Sequence, residues 1–213
     1  MKVLIACECS GTVREAFKAL GHDATSCDLQ DTIVPGKHYT GDVFDIIDQG
    51  WDLMIAHPPC THLAVSGAAW FEQKKKDGRQ QQGIDLFMRF TKTNIPRTCI
   101  ENPIGIMSKL YREPDQIIQP YYFGDSFSKS TCLWLKGLHP LFHNGEKTLF
   151  NDPITHVSKG EFIEWTDKKT GKKKRQPKLI SDAWKLPSKE RQNVRSKTFP
   201  GIANAMAKQW GSK

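Results

Sequence analysis

The chain has 213 residues, 38% of them hydrophobic, enough to bury one good core with a modest appendage. No apolar run approaches the roughly 18 residues that a membrane span needs, and Met1-Lys2-Val3-Leu4-Ile5 runs straight into strand character without a cleavage pattern. These features predict a soluble, cytoplasmic protein with no membrane partner. The net charge of +8 is uneven: residues 1–70 hold four Lys/Arg against nine Asp/Glu, which leaves +13 on the remainder and points to a small-molecule site built early and a polyanion gripped later.

Lys2–Ala6 reads as a first strand, followed by a turn over Glu8–Gly11 and an amphipathic helix from about Thr12 to Leu20 that Gly21 ends. Ala24–Cys27 is a second strand ending at Asp28. A loop with Pro35 and Gly36 leads to Gly41-Asp42 and a short helix over Val43–Gln49. Trp51–Ala56 is the next strand. Gln73–Gly83 is polar and carries breakers, which predicts a mobile loop before a helix over about Ile84–Thr93, and Thr98–Ile100 is again apolar. Strand and helix alternating in this way predict an α/β fold: a doubly wound, mostly parallel sheet covered on both faces.

Gln116–Gln119 and Thr131–Leu135 read as strands, the second with a buried Trp134. From about His139 to Pro187, proline, glycine and charge alternate in short pieces, and Glu161–Trp165 is the clearest strand there. This predicts a small β-rich basic insertion over 139–187 in a main domain formed by 1–138 and 188–213. Pro200–Trp210 forms a terminal helix that returns to the main domain. The cysteines at 7, 9, 27, 60, 99 and 132 are scattered, four of them in or beside strands, and read as free thiols in a monomeric chain without disulfides.

Two short segments stand at the carboxyl ends of apolar strands, where open α/β sheets put their ligands. His57-Pro58-Pro59-Cys60-Thr61 follows Leu53–Ala56, and Glu101-Asn102-Pro103 follows Thr98–Ile100. A thiol and a carboxylate are thereby placed side by side. Cys9-Ser10-Gly11 follows the first strand, where backbone must come close to a ligand and small residues are favoured. Asp28 ends the second strand, about where such folds hold ribose hydroxyls. Asp42 is positioned to accept from an adenine amino group, and the loop of Pro58 and Cys60 closes the cleft. His57-x-x-Cys60-x-His62 lacks the paired spacing of a zinc knuckle, so no metal is expected. The aromatic run Tyr121-Tyr122-Phe123 reads as core before it reads as a base-stacking platform. The run Lys168-Lys169-Thr170-Gly171-Lys172-Lys173-Lys174-Arg175 reads either as a solvated hairpin tip or as a phosphate-contacting loop.

The order and content of these elements resemble the DNA cytosine-5 methyltransferase family, in a short form such as phage and prophage genomes carry. Pro58–Gly67 is similar to its nucleophile motif, and Glu101-Asn102-Pro103 to its Glu-Asn-Val motif. Phe123–Trp134 is similar to its basic strand-leading motif, and Thr198–Ala207 to its closing-helix motif. The chain departs from the pattern at Glu8, near a position that is aromatic in the family, and at Lys129 and Thr131, where the family has paired arginines. The resemblance implies S-adenosylmethionine as cofactor, held by Cys9, Ser10, Gly11, Asp28, Asp42 and Pro58, and double-stranded DNA with a flipped cytosine as partner. It makes Cys60 the nucleophile, Glu101 the acid that holds and protonates N3, Asn102 a loop-orienting partner and Lys129 an anion contact. Lys172, Lys173, Lys174, Arg175, Arg191 and Arg195, within the insertion and the stretch after it, are then phosphate contacts. Two other readings stay open: an amino-methylating enzyme, whose signature would put an aromatic where Cys60 stands, and a catalytically silent nucleic-acid-binding protein on the same fold.

Overall fold

A computed structural model describes residues 1–143, 157–168, 170–187, 190, 191, 194 and 198–212. Its centre is a seven-stranded sheet in the order β3-β2-β1-β4-β5-β7-β6. The strands are β1 (Lys2–Ala6), β2 (Asp23–Asp28), β3 (His38–Thr40), β4 (Leu53–Ala56), β5 (Arg97–Pro103), β6 (Gln116–Ile118) and β7 (Thr131–Lys136). The first five in this order run parallel, and β7 lies antiparallel between β5 and β6. The order reverses between β1 and β4, the crevice where doubly wound sheets bind ligands.

The unbroken apolar runs of β1 and β4 follow from burial on both faces. Val3, Ile5, Leu53 and Ile55 pack on one side against Val13 and Phe17 of α1 (Thr12–Ala19) and against Ile202, Met206 and Trp210. Leu4, Ala6, Met54 and Ala56 face the other side, where Phe87 and Phe90 cover them. The terminal helix Pro200–Gly211 therefore returns to the main body as the apolar pattern predicts. Gly201 is required there, because a Cβ would stand 2.1 Å from the Phe123 carbonyl oxygen.

Several boundaries differ from the sequence reading. The segment predicted as a loop over 73–83 is helical: α2 (Phe71–Lys76) and α3 (Arg79–Thr91) meet at Gly78, which takes φ 78°, and Asp77, just before it, accepts from Arg79 N at 3.1 Å. The helix predicted over Val43–Gln49 is a single 3-10 turn, Val43–Asp45, capped by Asp42, because the chain must reach Gly50 within one short connection. Strand β3 has no counterpart in the sequence reading, since three residues give no alternation to read. The four-residue α4 (Met107–Leu110) follows β5.

The expected insertion contains a separate two-stranded antiparallel sheet, β8 (Phe162–Thr166) with β9 (Lys173–Pro177), followed by α5 (Lys178–Ala183); the terminal helix is α6. The main body extends past residue 138: Leu141 is buried in the core and its amide donates to Gln116 Oε1. Among the described residues, no helix is long and apolar enough to cross a membrane.

Arg14 is the largest polar side chain sealed into this frame, with none of its side chain exposed. It donates to Glu15 Oε1, Ser26 Oγ, Thr32 Oγ1 and the Val34 carbonyl, pinning the loop after β2 against α1. Removing one partner from such a buried network costs about 3–5 kcal/mol. Urea denaturation of Arg14→Ala should show a loss of that size, whereas the exposed Lys18→Ala should stay within about 0.5 kcal/mol of the unaltered protein. Equal effects would contradict the anchoring role.

Candidate active site

The last parallel pair between β4 and β5 is Ala56 with Ile100. The next residues in register are His57 and Glu101, and here β4 ends while β5 runs on, paired with β7 through Asn102 to Cys132 and Pro103 to Thr131. His57 Nδ1 lies 3.0 Å from Glu101 Oε2 and donates to the carboxylate, with side chains only 10% and 17% exposed. Burial pushes the Glu101 carboxyl up, but the His57 hydrogen bond, the Lys129 charge and the Thr131 hydroxyl outweigh it and hold the group below the usual carboxylate range. His57 Nε2 is buried and makes no hydrogen bond.

The loop that carries Cys60 is tied down by its own carbonyls. Asn102, 2% exposed, donates through Nδ2 to the Pro58 carbonyl at 2.7 Å. Lys74 Nζ donates to the Thr61 carbonyl at 2.7 Å, and Gln80 Nε2 to the His62 carbonyl at 3.2 Å. Ile106 N bonds the Leu63 carbonyl, and a Cβ on Gly105 would stand 2.4 Å from that same oxygen. Leu63 N and Ala64 N both donate to the Cys60 carbonyl, closing a tight turn that leaves the thiol half-buried. Four catalytic positions expected from sequence, Cys60, Glu101, Asn102 and Lys129, thus belong to two neighbouring loops and the strand between them. Sequence reasoning did not assign His57, Lys74 or Gln80 to this arrangement. Lys74 and Gln80 fall in the stretch that the sequence presents as a polar loop, so nothing there pointed to them.

On the other side of the crevice, the expected cofactor residues other than Pro58, which lies in the Cys60 loop, stand at or just after the carboxyl ends of β1, β2 and β3. Asp28 ends β2 and accepts from Gln30 N through Oδ1, and Asp42 accepts from Phe44 N. Cys7, at φ 59°, is half-buried within reach of both charges: desolvation first, then the Asp28, Cys27 and Asp42 charges, push its thiol up to about 12. The Cys9 carbonyl accepts from Ile33 N at 2.8 Å, so the loop after β2 lies across this turn. Gly11 is buried at φ 73°, and a Cβ there would stand 2.7 Å from the Arg14 guanidinium. Its glycine character is therefore set by the turn and by Arg14.

Glu8 is 4% exposed, although the sequence marked it only as unusual. Its carboxylate accepts from Val13 N at 2.7 Å, Arg14 N at 3.3 Å and Ser10 Oγ at 3.1 Å. The first amides of α1, which in dinucleotide-binding folds face a pyrophosphate, are already occupied by an acid.

Of the described basic positions, four lie on or beside the hairpin β8–β9 and Arg191 follows α5. Lys172, Lys173, Lys174 and Arg175 are exposed on and beside β9. Lys174 pairs with Asp167, Arg175 stacks on the Phe162 ring at 5.0 Å, and Arg191 on the Trp184 ring at 5.1 Å. Arg195 lies outside the described residues. A cleft of about 240 Å³ runs between the hairpin and the segment leading into β7, lined by Tyr121, Ser130, Lys159, Phe162 and Arg175. Tyr121 thus lines a cleft, with Lys159 Nζ 5.5 Å from its ring centroid, while Phe123 is core as expected.

All six cysteines are reduced thiols. Among the described residues no group of three or more His, Cys, Asp or Glu side chains is placed to hold a metal ion. In comparisons with known proteins, no protein-family model matches the chain, and no curated protein matches it.

Proposed function

We propose that the chain is a methyltransferase that uses S-adenosylmethionine to methylate carbon 5 of cytosine in DNA. The observation that carries this reading is the juxtaposition at the ends of β4 and β5: a loop with a half-buried thiol, fixed through Asn102, beside a carboxylate held by His57 and facing Lys129. A nucleophile and an acid on adjacent strand ends suit a reaction in which a ring is attacked at one edge and held at another.

Cys60 adds to carbon 6 while Glu101 holds the proton on N3. Only the thiolate is a potent nucleophile, and a small ionised fraction is enough for attack. Fixing the loop through the Pro58, Thr61 and His62 carbonyls keeps the sulfur aimed without ordering costs during attack. Loss of the carbon 5 proton then expels Cys60.

The acids at the ends of β1, β2 and β3 fit a phosphate-free, cationic nucleoside. Glu8 already occupies the α1 amides, so a pyrophosphate there would meet a buried negative charge. Asp28 and Asp42 add to the same sign of field around Cys7. When bound, S-adenosylmethionine supplies an electrophilic sulfonium methyl group. Asp28 is suited to ribose hydroxyls and Asp42 to the adenine amino group.

For the nucleic acid, the hairpin β8–β9 offers exposed Trp165 and Ile163 together with its lysines. A two-stranded ribbon of this kind has the dimensions of a DNA major groove. The target base leaves the stack, as chemistry on a ring edge requires.

DNA carrying 5-fluorocytosine should trap the protein covalently when the methyl donor is present, and Cys60→Ser should abolish the adduct. An adduct retained by that variant would overturn the nucleophile assignment. Pyrophosphate should fail to compete with S-adenosylmethionine for the unaltered protein in equilibrium dialysis, whereas Glu8→Gln should begin to admit it. Competition with Glu8 in place would contradict the proposed cofactor class. Lys172→Ala with Lys173→Ala should flatten the slope of log K against log salt by about 0.9 for each phosphate that the protein no longer neutralises. An unchanged slope would remove the hairpin from the DNA interface.

A further inference from the structure

The acid of this site stands ready as a carboxylate, although the reaction needs it to give a proton. Burial works to protonate Glu101, but His57, Lys129 and Thr131 together keep it ionised at neutral pH. Whatever proton reaches N3 through Glu101 must therefore come from a neighbour. His57 is bonded to Oε2 at 3.0 Å, its side chain is nine-tenths buried, and its second ring nitrogen makes no hydrogen bond. A histidine that served only to clamp the carboxylate would need nothing but its Nδ1 proton, and an amide could replace it. A permanent cation at this point would hold Glu101 ionised at every pH, whereas an imidazole can release the proton that it holds.

Resting on the methyltransferase reading, we propose that His57 is the proton store for Glu101, a positioning residue that acts on the base only through that carboxylate. In the addition step the Cys60 thiolate forms the bond to carbon 6. The C5–C6 π pair shifts to C4–C5, and the former C4–N3 π pair takes a proton at N3. That proton leaves Glu101 as the His57 Nδ1 proton moves onto the carboxylate, so the imidazolium becomes a neutral imidazole. After methylation the carbon 5 proton departs to water, the C5–C6 double bond re-forms, the sulfur leaves as thiolate and the N3 proton returns through Glu101 to His57. The pair ends as it began, with one proton lost from carbon 5 for one methyl group gained.

The groups that act on Glu101 are His57, Lys129 and Thr131, and its charge in turn raises the thiols of Cys99 on β5 and Cys132 on β7; Cys7 follows β1 at the register position beside His57, and Cys60 lies three residues along its loop. In this proposal the proton for N3 is the one that His57 holds, so its loss should lower the rate on the alkaline side.

The test is single-turnover methyl transfer to duplex DNA across pH, with the His57 ring of the unaltered protein titrated by NMR in parallel. The rate should fall on the alkaline side in step with that titration. His57→Gln, which keeps a hydrogen bond to Glu101, should be slower by about 10²-fold near neutrality and should lack the alkaline fall. An alkaline fall that does not follow the imidazole titration, or one that persists in His57→Gln, overturns the proton store while leaving methyl transfer standing. The first comparison needs no variant, so misfolding of His57→Gln does not spare the proposal. Unaltered protein that transfers no methyl group at any pH overturns the methyltransferase reading, and the proton store with it.

Discussion

The parallel register between β4 and β5 fixes everything else at the site. Because Ala56 stands opposite Ile100, the residues that follow, His57 and Glu101, come within hydrogen-bond distance at the sheet edge. The antiparallel strand β7 then returns to the same level and brings Lys129 and Thr131 onto the carboxylate. A slip of one residue in either pairing would turn Glu101 into the core face and leave the Cys60 loop without Asn102. The apolar faces of β4 and β5 buried on both sides of the sheet make such a slip costly.

A division of charge follows from this layout. The carboxyl ends of β1, β2 and β3 gather Glu8, Asp28 and Asp42, while the hairpin and the residues that lead into it carry Lys159, Lys172, Lys173 and Arg175. Glu8 sharpens this division, because it fills the helix terminus that would otherwise attract phosphate.

Much of the architecture was legible because its strands are short apolar runs that admit few alternatives. β1, β2 and β7 fall within a residue of their expected limits, and α6 closes the body as its pattern suggests. The pairing of the Cys60 loop with Glu101 and Asn102 was readable for the same reason, since both segments end buried strands. The polar stretch after Trp70 was not readable. Its helices turn Lys74 and Gln80 inward to carbonyl groups that only the folded loop presents, and no local periodicity encodes that. In the sequence His57 reads only as the first residue of the thiol segment, because its partner lies 44 residues away and the register that joins them is a tertiary fact. The role of Glu8 is hidden for a similar reason: a carboxylate beside a helix start becomes meaningful only once its oxygens are seen on the Val13 and Arg14 amides.

The thiol loop, the acid pair and the donor crevice form one device only if a methyl group passes across the junction between β4 and β5. The most direct measurement is transfer of labelled methyl from S-adenosylmethionine to mixed duplex DNA, followed by mass spectrometry of the digested nucleosides. The account predicts label in 5-methylcytosine alone. Label on an exocyclic amino group, or DNA binding with no label in any nucleoside, would contradict it.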